Sequence, residues 1–161
     1  MLITGAGPIG LLVLQAARAV GAGETVVTDV NPGRLAHARR LGADRALDTS
    51  REPLPQDPVF DIALDCSGIE SALTAAAHAV RPGGTVVAVG NPPQPRTTLP
   101  LAWMQRQELT LVTAFRYAGS SPRRCPWPPP DGSTWSRWSP PASPSNVRRT
   151  PSRRRSPTPH S

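Results

Sequence analysis

The sequence predicts an α/β protein built on a doubly wound parallel sheet, and three observations carry that expectation. Over residues 1–117, short apolar segments alternate with helix-length ones. The short segments are continuous apolar runs rather than alternating ones, the pattern of strands covered on both faces. Between the first of them, Leu2-Ile3-Thr4, and a longer run beginning Leu11-Leu12-Val13-Leu14 stands Gly5-Ala6-Gly7-Pro8-Ile9-Gly10.

Residues 1–4 read as a short buried strand and 9–20 as the helix that follows. Residues 25–29 form the second strand. The next helix, 32–41, has Asn31 as its cap and Pro32 at its first position, where a missing N–H costs nothing. Gly42 ends it. Residues 45–47 make a brief third strand, and after a proline-rich loop 60–65 make a fourth, closed by Cys66-Ser67-Gly68. The Ala-rich segment 70–80 is helical until Arg81-Pro82-Gly83-Gly84 breaks it. A fifth strand, 85–89, ends at Gly90; a short helix over 101–107 precedes the last strand, 109–115.

Strand–helix repetition with short loops implies parallel strands joined by right-handed crossovers, a Rossmann-type sheet whose ligands sit beyond the carboxyl ends of the strands. Residues 5–10, Asp29, 66–68, 89–91 and 115–116 all fall there, so five segments converge on one crevice. The glycines suit distinct tasks: Gly5 a tight turn, Gly7 close approach of backbone to a pyrophosphate, Gly10 close helix–strand packing, with Pro8 opening the helix. The helix N-terminus turns N–H groups and a positive dipole end toward an anion. Asp29 lies nineteen residues after Gly10 at the end of the second strand, where an acid meets the adenosine ribose. These residues point to NAD(H) as ligand. Cys66 lies on the same crevice, as a small apolar filler rather than a metal ligand.

Charge divides the chain. Residues 1–117 carry ten Arg against ten acids; residues 118–161 carry eight Arg and a single acid, Asp131, and so hold the whole net charge of +7. The second segment also has 11 of the 21 prolines and three of the four tryptophans. The expected organisation is a dinucleotide-binding domain over 1–117 and a disordered Pro/Ser/Arg-rich tail over 118–161, which cannot bury enough apolar surface to fold. Two cysteines, Cys66 and Cys125, are too few for a disulfide framework or a zinc cluster. The apolar run 11–20 has no basic lead-in and is not a signal peptide. With no apolar run long enough to span a bilayer, no membrane partner is expected, and a cytoplasmic location is the default.

The order Gly-Ala-Gly-Pro-Ile-Gly, then Val-Val-Thr-Asp with Arg34 five residues on, then Arg39-Arg40-Leu41-Gly42-Ala43-Asp44, resembles the zinc-containing medium-chain dehydrogenases. Asp65-Cys66-Ser67-Gly68, Arg81-Pro82-Gly83-Gly84 and Ala114-Phe115-Arg116-Tyr117 resemble the sorbitol (polyol) branch of that family, and the resemblance covers residues 1 to about 120. It implies that Ile9 meets the pyrophosphate–ribose region, Asp29 the adenosine hydroxyls and Arg34 the adenine side. It places Val89, Gly90 and Asn91 along the nicotinamide, with Phe115 and Arg116 closing that end. Asp29 favours NAD over NADP, because a 2′-phosphate would meet a carboxylate. It also implies a parent enzyme that oxidises a small polyol or alcohol, and pairing of two copies through the outer sheet edge.

The family's zinc-bearing catalytic domain has no counterpart in this sequence, so the expectation is a cofactor-binding fragment without dehydrogenase activity of its own. No catalytic residue and no metal ligand is assigned; His37, His78 and His160 do not replace the missing zinc set. The tail invites a reading-frame explanation. Codons formed from the last base of one present codon and the first two of the next allow ALPLAAAGRVDLEPLVTARFPLERAEDAF over residues 124–152, which resembles the ending of zinc dehydrogenases. The break would lie between about Ser120 and Arg124. The alternative is a stand-alone NAD-binding module whose Arg148-Arg149 and Arg153-Arg154-Arg155 contact nucleic acid or a protein partner.

Overall fold

Leu2, Ile3 and Thr4 form β1 (Leu2–Thr4), and all three are buried because a strand lies on each side and helices lie on both faces. The computed structural model describes residues 1–54 and 57–115. The remaining elements are α1 (Pro8–Ala19), β2 (Val26–Asp29), α2 (Pro32–Arg40), β3 (Arg45–Asp48), β4 (Phe60–Asp65), α3 (Glu70–Ala79), β5 (Val80–Ala88), α4 (Leu101–Arg106) and β6 (Thr110–Thr113). All six strands are parallel, in the order β3-β2-β1-β4-β5-β6. This is the Rossmann arrangement, with its switch point between β1 and β4.

Period-two alternation sends Leu2 and Val26 to one face of the sheet and Ile3 and Val27 to the other. The first face packs on Leu73, Ala76 and Ala77 of α3 and Met104 of α4. The second packs on Leu14 of α1 and Ala38 of α2. Both α1 and α2 stop the same way. Gly21 and Gly42 adopt φ of +82° and +92°, and the amides of each glycine and its successor return to carbonyls of the last turn: Gly21 to Arg18, Ala22 to Ala17, Gly42 to Arg39 and Ala43 to Ala38. Asn31 caps α2 as expected, accepting from the amides of Gly33 at 2.9 Å and Arg34 at 3.1 Å.

The fifth strand differs from the expectation. It starts at Val80, which pairs with Phe60, then leaves the ladder over Arg81-Pro82-Gly83-Gly84 and returns with Thr85 opposite Ile62. The excursion is held by an Arg81–Asp61 ion pair at 2.6 Å and by the Gly83 amide on the Gln107 carbonyl. β6 is an edge strand with all four residues exposed; β3 is the other edge. Among the described residues no helix is long and apolar enough to cross a membrane. The expectations for residues 118–161, including Cys125, His160 and the frame break, lie outside the described residues, as does Arg116.

Candidate dinucleotide site

Because the strands are parallel, the segments that follow β1, β2, β4 and β5 leave the sheet on one side and meet there. Gly5, at φ +91°, donates its amide to the Thr28 carbonyl at 2.8 Å. A Cβ on Gly10 would lie 1.9 Å from the Gly5 carbonyl oxygen, so α1 starts directly against the loop. Gly7 is the N-cap and provides no side chain to the first amides of α1; a Cβ there would meet nothing within 4 Å. The turn is thus tight on its inner side and open on its outer side, the shape a pyrophosphate needs. Pro8 and Ile9 are exposed on the first turn.

Asp29 closes β2 with a side chain only 7% exposed. One of its oxygens accepts the Ala6 amide at 2.8 Å and the other the Asn31 amide at 2.9 Å, so the acid ties the glycine loop to the start of α2. Arg34 reaches the same carboxylate, with Nη1 3.7 Å from Oδ2. Asp29, Arg34, Gly5, Gly7 and Cys66 line a cavity of about 210 Å³. An adjoining hollow of about 390 Å³ shares Thr28, Val30, Thr49 and Ile69 with it and extends over Leu54 and Ala75.

On the other side of the switch point, Val89, Gly90, Asn91 and Phe115 line a cavity of about 360 Å³ together with Leu99 and Leu111. Asp65, which sequence reasoning passed over as a site residue, borders it as well. Its Oδ1 accepts from the Thr4 hydroxyl at 2.7 Å, the Ser67 hydroxyl at 2.6 Å and the Ser67 amide at 3.1 Å; its Oδ2 accepts from the Gly68 amide at 3.1 Å. Its carbonyl oxygen accepts from the amides of Val89 at 2.8 Å and Gly90 at 2.7 Å. A buried acid two residues ahead of a Ser-Gly turn was the available signal.

Cys66 is a half-buried free thiol whose pKa burial pushes up to about 11, with the Asp65 charge adding to the rise. A thiol so placed stays protonated, and the Cys66 Cβ lies 3.5 Å from where a Cβ on Gly10 would stand. His37 is exposed on α2, and His78 stacks on Trp103 with ring centroids 4.9 Å apart. Neither lines any of the three cavities.

A family model described as "Zinc-binding dehydrogenase" matches residues 8–127. The chain belongs to the zinc-binding dehydrogenase family. It is similar to sorbitol dehydrogenase of Bos taurus, 36% identical over 132 residues, which are 76% of this chain and 36% of that protein. It is also similar to L-threonine 3-dehydrogenase of Paraburkholderia phymatum, 45% identical over 101 residues, covering 58% of this chain and 29% of that protein. Among solved structures, a short chain alcohol dehydrogenase of E. coli CFT073, complexed with NADH, superimposes with a TM-score of 0.65 at 26% identity, covering 75% of this chain and 37% of the other. The chain therefore spans between 29% and 37% of the length of these dehydrogenases. Among the described residues of this zinc-binding dehydrogenase family member, no group of three or more His, Cys, Asp or Glu could hold a metal ion, so the family's zinc is assigned to none of them.

Proposed function

We propose that the chain binds NAD(H) across the crevice and supplies the cofactor half of an alcohol or polyol oxidoreductase. The pyrophosphate lies over Gly5, Gly7, Pro8, Ile9 and Gly10, and the adenosine ribose faces Asp29. The nicotinamide lies against Val89, Gly90 and Asn91, with Phe115 at that end. The observation that carries this reading is the pairing of an open-sided glycine turn with the Asp29 carboxylate, joined directly through the Ala6 amide. With this goes a cofactor-binding domain over residues 1–117.

Bound there, NAD would supply the hydride acceptor for oxidation of an alcohol carbon. The residues of this chain bind and orient. Amides at the start of α1 meet the phosphates, and Asp29 accepts from ribose hydroxyls while holding the loop. A 2′-phosphate at that position would face the carboxylate, and Arg34 is already engaged with it, so NAD(H) is preferred over NADP(H). The names of the relatives, sorbitol dehydrogenase and L-threonine 3-dehydrogenase, suggest a secondary alcohol of polyol or hydroxy-amino-acid type as the substrate class.

Calorimetric titration of the full chain tests the reading. We expect NADH to bind with at least about tenfold higher affinity than NADPH, a difference of about 1.4 kcal/mol. No NADH binding at millimolar concentration, or tighter NADPH binding, would overturn it.

A further inference from the structure

Asp65 is 1% exposed, and its two carboxylate oxygens take four donors from three places: the end of β1, the Ser67 turn and Gly68. Its main-chain carbonyl takes two more, from Val89 and Gly90. The loops it joins are also interlocked by shape. A Cβ on Gly90 would stand 2.1 Å from the Gly68 nitrogen, and one on Gly68 2.5 Å from the Asn91 carbonyl oxygen. Moving the Gly68 turn therefore moves the wall made by Gly90 and Asn91. The glycine loop packs against this turn, a Cβ on Gly5 standing 3.0 Å from the Ser67 nitrogen, but its own hydrogen bonds go elsewhere, to the Thr28 carbonyl and the Asp29 carboxylate.

We propose that Asp65 is a positioning residue: its carboxylate fixes the Ser67–Gly68 turn, the turn fixes Gly90 and Asn91, and the acid thereby sets the hold on the nicotinamide half of the dinucleotide but not on the adenosine half. This rests on the reading of the crevice as an NAD(H) site. Asp65→Asn is the informative variant, because it keeps the shape and breaks the pattern of acceptors. In one orientation the new NH2 faces the Gly68 amide, and in the other it faces the Ser67 amide; either way two donors oppose each other.

The full chain and its Asp65→Asn variant are titrated with NADH and with ADP-ribose, which lacks the nicotinamide, and amide hydrogen exchange is followed in the absence of ligand. The expected result is NADH binding weakened about tenfold, ADP-ribose binding changed less than about twofold, and faster exchange at Gly68, Val89 and Gly90 with Gly5 unchanged. Equal loss for both ligands, no loss for either, or unchanged exchange at Gly68 and Gly90 would overturn the proposal. If the unaltered chain binds neither ligand, the NAD(H) reading fails by itself, and the exchange pattern alone then decides the role of Asp65. Ser67→Ala removes one donor from Oδ1 and serves if Asp65→Asn does not fold; it shifts the same readouts in the same direction by a smaller factor.

Discussion

Each side of the crevice is tied to an aspartate carboxylate, but the two ties reach very different distances along the chain. On the glycine-loop side, the anchoring bond from Ala6 to Asp29 spans 23 residues, one strand–helix–strand unit. On the other side, the bond from Thr4 to Asp65 spans 61 residues and crosses the switch point of the sheet. The bonds that tie the glycine loop to Asp29 lie within one contiguous segment, although Cys66 and Ser67 of the other half complete its cavity; the bonds of the second side exist only when both halves of the sheet are assembled. A motif with fixed spacing marks the whole of the first, whereas Asp65-Cys66-Ser67-Gly68 marks only the turn of the second and none of its partners in β1 and after β5.

Substitutions at two glycines break this comparison most directly. Gly10→Ala drives a Cβ into the Gly5 carbonyl, and α1 must shift with Leu14, which is fully buried. A stability loss of about 3 kcal/mol is expected in chemical denaturation, with NADH and ADP-ribose weakened together. Gly90→Ala drives its Cβ into the Gly68 nitrogen, a clash between two loops that leaves the packing of α1 in place. About 1–2 kcal/mol is expected, with NADH weakened more than ADP-ribose. Equal loss of NADH and ADP-ribose binding by Gly90→Ala would show that the two sides are not separately built.

A smaller effect concerns the thiol at their junction. The Cys66 pKa rises from 9.0 to about 11, so at pH 8 the thiolate fraction falls roughly a hundredfold and alkylation by iodoacetamide should slow accordingly against a free peptide thiol. Peptide mapping distinguishes it from Cys125. The linkage has a sign: folding favours the neutral thiol, so its contribution is full below pH 9.0 and is lost as pH rises through about 11. Rapid alkylation at pH 8 would mean that the packing around Gly10 and Cys66 is open.

The smallest expected effect lies at the opposite end of the sheet. The Thr25 hydroxyl, and then its amide, hold the Asp44 carboxyl below its ordinary value of 3.8, with bonds of 2.6 and 2.7 Å. A lowered pKa in the folded state means stabilisation that is present above pH 3.8 and lost as pH falls through the lower value. Asp44→Asn should therefore lower the melting temperature at pH 7, and the gap from the unaltered chain should narrow at pH 3. NADH affinity should not change, because Asp44 is remote from the crevice.

Much of the architecture was legible in the sequence for physical reasons. The expected bounds of β4, 60–65, match because apolar residues are followed abruptly by a Cys-Ser-Gly turn, and those of α2, 32–41, match Pro32–Arg40 to within one residue because its cap, first-position proline and terminal glycine are all local signals. The start of β5 was not legible. Pro-Gly-Gly reads as a breaker, and only the Arg81–Asp61 pair and the Gln107 carbonyl, both distant in sequence, allow Val80 to pair before the excursion. In the site, the spacing from Gly10 to Asp29 was visible, whereas the contact of Arg34 with that acid is a matter of how α2 packs. Asp65 was visible only as part of a turn, since its partners at Thr4 and its effect on Gly90 are set by the assembled sheet.

The two margins of the sheet meet water unequally. β3 presents Arg45 and Asp48, while β6 presents Thr110, Leu111, Val112 and Thr113, uncharged and exposed along its whole length. Charge on a margin discourages another strand from aligning beside it; an uncharged, β-branched margin is a template for one. Among the described strands the sheet is therefore directional: an added strand is expected beside β6 rather than beside β3.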